Sequence, residues 1–184
     1  MATEARQPST GALAILVAVF VGSAVAVALG VLGTVHGPQF FSINVAGFSS
    51  GLAVKTWLAT VAVVLALFQL GSAFAMYGLF AGRTPSWVGT AHVWSGRVAV
   101  LISVPVVVHC LYALGFQSTD SRVLLHSLFG CFFYGTFVTK MLLLTRKGLP
   151  QWVIPIAGGL LFFGLVCVWL TSAMWFFQTN GVIL

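Results

Sequence analysis

Residues 91–140 read AHVWSGRVAVLISVPVVVHCLYALGFQSTDSRVLLHSLFGCFFYGTFVTK. Two long apolar runs flank a short polar turn, GFQSTDS, and neither shows the alternation of a strand. The reading is therefore a pair of membrane helices joined by a tight connection. His109 lies on the first run and His126 on the second, each about eight or nine residues from the midpoint of the turn. In an antiparallel pair rising about 1.5 Å per residue, this symmetry puts both imidazoles at the same depth.

The remainder of the chain has the same character. Of its 184 residues, 60% are apolar and 5% charged, and the mean hydropathy is +1.09. Such a chain is an integral membrane protein, and runs beyond 20 residues indicate helices rather than a barrel. The fold class expected is an all-α membrane bundle forming one transmembrane domain over residues 1–184. Five spanning helices are expected, at about 11–35, 52–81, 87–114, 122–144 and 151–177. The first run exceeds the apolar core of a signal peptide. Gly82-Arg83-Thr84-Pro85 closes the second helix, and the long reach to Ala81 implies a tilt. Ala14, Ala18, Gly22, Ala26 and Gly30 recur at every fourth position, a stripe that lets another helix approach closely, in this chain or in another subunit.

The net charge of +6 comes from too few residues, too scattered, to track phosphates, so it excludes a nucleic-acid partner and reports orientation. Arg6, Arg83, Arg146 and Lys147 fall on one face of a five-helix count, and Lys55 and Arg122 on the other. The excess on the first face makes the N-terminus cytoplasmic and the location the inner (plasma) membrane. Cys110, Cys131 and Cys167 lie in apolar segments with no CxxC or CxxCH. They read as packing residues rather than disulfides or covalent haem attachments.

A histidine within a membrane helix is costly unless paired or used. Two level histidines on adjacent helices suit the two axial positions of one non-covalent haem b, with His109 and His126 as the metal ligands. The surroundings accord with a porphyrin. Gly130, one turn from His126, leaves room for a flat ring, and Phe133 and Phe137 extend that face. Val98, Ile102 and Pro105 do so on the third helix. Pro105 also predicts a kink one turn before His109. Haem propionates need cations or hydroxyls. Arg122 is the leading candidate, with Tyr112 and Lys55 behind it. An iron held by two imidazoles has no open site, so its chemistry is electron transfer. A zinc site would need further ligands at suitable spacing, and there are none.

The other two histidines read differently. His92 lies 17 residues before His109, rotated about 100° from it, and has no level-matched partner. Its bland role is packing or an interfacial contact, and its sharper one is contact with a quinone or a second cofactor. His36 sits beside Gly37-Pro38 in an outer loop; its bland role is that of an ordinary loop histidine, and its sharper ones are contact with substrate or ligation of a haem in place of His109. Arg97 and Lys140 read as snorkelling cations. No dinucleotide fingerprint, P-loop or Ser-His-Asp set is present, so any enzymatic role is as an oxidoreductase component.

His92-Val93-Trp94-Ser95-Gly96-Arg97, followed by His109-Cys110-Leu111-Tyr112 and Leu125-His126-Ser127, resembles the small b-type transmembrane cytochromes and ferric-reductase-like membrane proteins. The likeness spans about 50 residues and also fits an uncharacterised type of bacterial membrane protein. It implies a bundle of four or more helices with haem b between histidines. Two-haem members of that class carry four level histidines on four helices. The second and fifth helices here carry none, which reduces the expectation to one haem.

The expectation is thus a membrane-embedded haem b protein, a cytochrome subunit of a larger respiratory or redox complex. It would pass electrons from quinol or a partner subunit to an acceptor on the outer face. Its partners would be the lipid bilayer, other membrane or redox subunits, and a quinone. The alternative is a haem-free structural or assembly subunit that docks through its small-residue stripe.

Overall fold

The computed structural model describes residues 10–80 and 83–184. Arg6, used above for orientation, and Ala81 and Gly82, at the end expected for the second helix, lie outside the described residues. The fold is all-α. Helix α1 spans Thr10–Val35, α2 Gly51–Met76, α3 Trp87–His109, α4 Ser121–Leu144 and α5 Val153–Trp169. A π-helical turn, Cys110–Leu114, continues α3. A second, Leu170–Met174, continues α5 into a terminal turn, α6, Trp175–Asn180. Five continuous helices result that are long and apolar enough to cross a membrane. Their outer faces are greasy: Phe20, Val27 and Leu101 are 74%, 65% and 69% exposed, which is tolerable only against lipid.

Local chemistry sets the ends. The Ser50 hydroxyl accepts from the Ala53 N–H at 3.1 Å and caps α2. Asp120 Oδ1 accepts from the Val123 N–H at 3.0 Å and caps α4, so the acid in the polar turn is used structurally. Helix α2 stops at Met76, five residues short of the expected Ala81. Gly78 adopts φ +73°, Leu79 N–H donates to Phe74 O, and Gly78 N–H donates to Ala75 O. This Schellman arrangement ends the helix while the apolar sequence runs on through Leu79 and Phe80.

The packing order is not the chain order. Helix α1 packs along α4, α2 along α3, and α4 along α5, while α2 also meets α5. The small-residue stripe of α1 is consumed within the chain. A Cβ on Gly135 would lie 2.6 Å from Gly22 O and 2.8 Å from the Ala26 methyl. Thr139 Oγ1 reaches Ala18 O at 3.3 Å, and Ala18 is buried. On the other side Gly96 of α3 accepts the Gln69 side chain of α2. The consequence corrects the expectation of a packed α3–α4 hairpin: these two helices, though consecutive, are not extensively packed on one another among the described residues. Close glycine contacts draw α4 to α1 and α3 to α2, and a space opens between the two pairs.

One end of the bundle is tied shut. Gln39 and Phe40 donate their N–H groups to Tyr112 O and Ala113 O of the first π turn, both at 3.1 Å. Phe116 N–H donates to Gly33 O at 2.6 Å. Trp57 Nε1 donates to Ile183 O at 2.8 Å, which fixes the C-terminal tail to the start of α2.

Candidate functional site: a cationic, apolar cavity between α3 and α4

The space between α3 and α4 is a cavity of about 290 Å³. That is close to the lower end of ligand pockets, about 300–1,000 Å³. Its walls come from all five spanning helices, and they are apolar apart from a few converging groups. Helix α3 contributes Ser103, Val106, Val107 and Cys110, at i, i+3, i+4 and i+7 of one face. Helix α4 contributes Arg122, Val123, His126, Ser127, Gly130, Phe133 and Tyr134.

His126 faces this cavity, and its ring is oriented. Its Nδ1 lies 3.3 Å from Thr171 Oγ1. The Thr171 hydroxyl spends its own proton on Cys167 O, at 2.7 Å, so its oxygen accepts from Nδ1–H. That tautomer leaves Nε2 as a bare lone pair, the state in which an imidazole binds a metal. Thr171 lies in the second π turn, a local geometry that often marks functional sites.

Arg122 is also held. Its Nη1 donates to Thr171 O at 2.8 Å, and the guanidinium lies over the Trp175 ring, 4.2 Å from the centroid. Cation–π attraction and a charge-assisted bond outweigh the freedom of a snorkelling side chain. Lys55 lines the same cavity from the first turns of α2 and has no hydrogen-bond or ion-pair partner among the described residues. Two cations thus border an apolar space, and no described carboxylate neutralises them. Gly130 completes the provision of room, since a Cβ there would meet nothing within 4 Å.

His109 is not brought to this cavity. It is buried, and its ring sits edge-on to Phe41 with centroids 5.3 Å apart. The cause is the packing order: α3 turns Ser103, Val106, Val107 and Cys110 inward, and residue 109 falls off that face. Tyr112 likewise turns away, its ring against His36 with centroids 4.9 Å apart. Of the expected macrocycle contacts, Phe133 lines the cavity, whereas Val98, Ile102, Pro105 and Phe137 do not. Lys55, Arg122, His126 and Gly130 are brought together; His109 and Tyr112 stand apart from them.

Three lining features escaped the sequence reading. Thr171 is one hydroxyl in an apolar helix, and only its contact with His126 reveals it. Cys110 lines the cavity instead of packing between helices. Ser103 and Tyr134 bond across the space at 2.8 Å, the polar link between α3 and α4. The i, i+3, i+4, i+7 spacing of Ser103 to Cys110 is the signal that would have found the inward face of α3. Among the described residues no group of three or more His, Cys, Asp or Glu side chains is placed to hold a metal ion. A metal here would have to arrive with most of its own ligands, as the iron of a macrocycle does.

Fold and site together define a multi-pass membrane protein with an apolar cavity bordered by one oriented imidazole and two cations. Residues 14–184 match the model of DUF6529, a family of unknown function, and the chain belongs to that family. Comparisons with curated proteins and with solved structures find no match.

Proposed function

We propose that the protein is a haem b electron-transfer subunit of the inner (plasma) membrane, with the N-terminus cytoplasmic. The reading is carried by one observation: His126, with Nδ1 fixed on Thr171, opens into an apolar cavity bordered by Lys55 and Arg122. A haem is a flat apolar disc with an iron at its centre and two carboxylates at one edge. The residues fit that description part by part. His126 would supply an axial nitrogen, Lys55 and Arg122 would meet the propionates, and Gly130 and Phe133 would bound the ring. When bound, the group supplies one-electron chemistry, and the chain supplies orientation, charge compensation and exclusion of water.

His109 would be the second axial ligand once its ring leaves Phe41. Pro105, four residues earlier, lacks the N–H of a helical bond, and the π turn begins at the next residue, Cys110. The helix around His109 is thus weakened on both sides, where a small rotation costs least. The electron donor would be a quinol or a partner subunit, and the acceptor would lie on the outer face. The assembly-subunit alternative has lost its docking face, because the α1 stripe is covered by α4.

The test is the absorption spectrum of the purified protein with a pyridine haemochrome assay. The expected result is a reducible Soret and α-band spectrum at one haem per chain, abolished by His126→Ala. A colourless wild-type protein from a haem-sufficient host overturns the proposal.

A further inference from the structure

The end of the bundle opposite Arg122 carries a second cleft, of about 590 Å³. It lies between Met76 and Tyr77, where α2 ends, and the last turn of α4 with the loop that follows it. Helices α2 and α4 share a buried cluster at Ala66 and Phe133, yet they are not extensively packed on one another among the described residues. The inner wall of the cleft is core: Leu143 is buried, and Leu149 and Ile154 pack against its cluster. Its rim is apolar and open, with Met76 and Leu144 both exposed, as suits residues that face lipid.

Three polar side chains meet at this cleft, those of Tyr77, Arg146 and Gln151. None of them makes a side-chain hydrogen bond or ion pair among the described residues. Asp120 is the one carboxylate side chain among those residues, and it caps the far end of α4, a helix of 24 residues. At helical rise that is about 36 Å away, so Arg146 has no described acid near it. The carbonyl ends of α2 and α4 would disfavour an anion, but they are occupied. Ala75 O accepts from Gly78 N–H at 3.1 Å and from Thr84 Oγ1 at 2.7 Å. Leu142 O accepts from Thr145 Oγ1 at 2.7 Å, and Leu143 O from Arg146 N–H at 3.0 Å.

We infer that this cleft binds the headgroup of an anionic phospholipid of the phosphatidylglycerol class, whose acyl chains run down the outside of the bundle past Met76 and Leu144. One guanidinium lines the cleft, and a phosphodiester carries one charge, which arginine can grip with two parallel hydrogen bonds. The hydroxyls of a glycerol headgroup suit Tyr77 and Gln151. A free phosphate fits less well. Its charge of about −1.5 to −2 would meet a single cation, and it would leave the apolar rim uncovered. The site lies apart from the haem cavity and does not rest on that reading.

The experiment titrates palmitoyl-oleoyl phosphatidylglycerol into the full chain in detergent and counts bound lipids by native mass spectrometry. One saturable phosphatidylglycerol per chain is expected, bound about tenfold or more tightly than phosphatidylcholine with the same acyl chains. Arg146→Gln should weaken it about tenfold, the loss of a charge-assisted hydrogen bond, and Arg146→Lys by less. Lys147 is the next residue but does not line the cleft, so Lys147→Gln should bind as the wild type does. Arg146 makes no described side-chain bond, so the melting temperature of its variants should not change. Equal binding of the two lipids overturns the inference. So does an equal loss in Arg146→Gln and Lys147→Gln, which would mean diffuse surface charge. Displacement of the lipid by millimolar inorganic phosphate overturns it as well, by making the cleft a simple anion site.

Discussion

Thr171 Oγ1, in the π turn that follows α5, lies 3.3 Å from Nδ1 of His126 on α4 and passes its own proton back to Cys167. One hydroxyl thereby helps to orient the imidazole that faces the cavity, which also bonds the Val168 backbone. The Thr171 backbone carbonyl meanwhile accepts from Arg122. The two cavity groups with the most chemistry are held by the same residue.

Thr171→Val should keep the fold and lose the orientation. Outer partners of metal-bound histidines typically contribute about 10–100-fold in affinity. Haem titration of the apoprotein should show a loss of that order, with Thr171→Ser close to wild type. Equal haem affinity in Thr171→Val would show that the contact does not matter to the ligand.

Lys55→Met and Arg122→Met should each weaken haem retention, for the loss of a propionate partner. They should differ in stability. Lys55 makes no hydrogen bond or ion pair among the described residues, whereas Arg122 is tied to Thr171 and Trp175. Arg122→Met should cost about 1–3 kcal/mol, seen as a lower melting temperature in detergent, and Lys55→Met little.

Gly130→Leu and Gly22→Leu separate cavity from scaffold. Nothing lies within 4 Å of a Cβ on Gly130, so Gly130→Leu should leave the melting temperature unchanged while reducing haem content. A Cβ on Gly22 would overlap Thr139 and approach Gly135 O to 2.5 Å. Gly22→Leu should therefore cost about 1–3 kcal/mol or more from overpacking. It should do so in the isolated chain, which marks the stripe as internal rather than a surface for another subunit.

His109→Ala should convert a low-spin spectrum into a high-spin one without removing the haem, if His109 swings in as the second ligand. Electron paramagnetic resonance of the oxidised protein reads this directly. An unchanged low-spin signal would assign the sixth position to another group. Cys110, Cys131, Tyr134 and Lys55 line the cavity and carry groups able to replace it.

Much of this protein was legible in its sequence. Long apolar runs with few charges require spanning helices, because a backbone in hydrocarbon must satisfy its hydrogen bonds internally. The polar turn and the candidacy of His126, Arg122 and Gly130 follow from residue type and spacing along one helix. Periodicity on a single helix needs no knowledge of its neighbours.

Which helix meets which was not legible. Equal depth of His109 and His126 follows from chain symmetry, but depth says nothing about rotation, and rotation is set by packing. Gly22 and Gly135 draw α4 toward α1, Gly96 and Gln69 draw α3 toward α2, and His109 is left against Phe41. The end of α2 was misplaced because a Schellman turn at Gly78 is a backbone event inside an unbroken apolar run. Membrane helices share one greasy exterior, so hydropathy determines that they span and where they start. Only the close contacts of small residues, in three dimensions, decided that Thr171 orients His126 and that a cavity separates two helices adjacent in the chain.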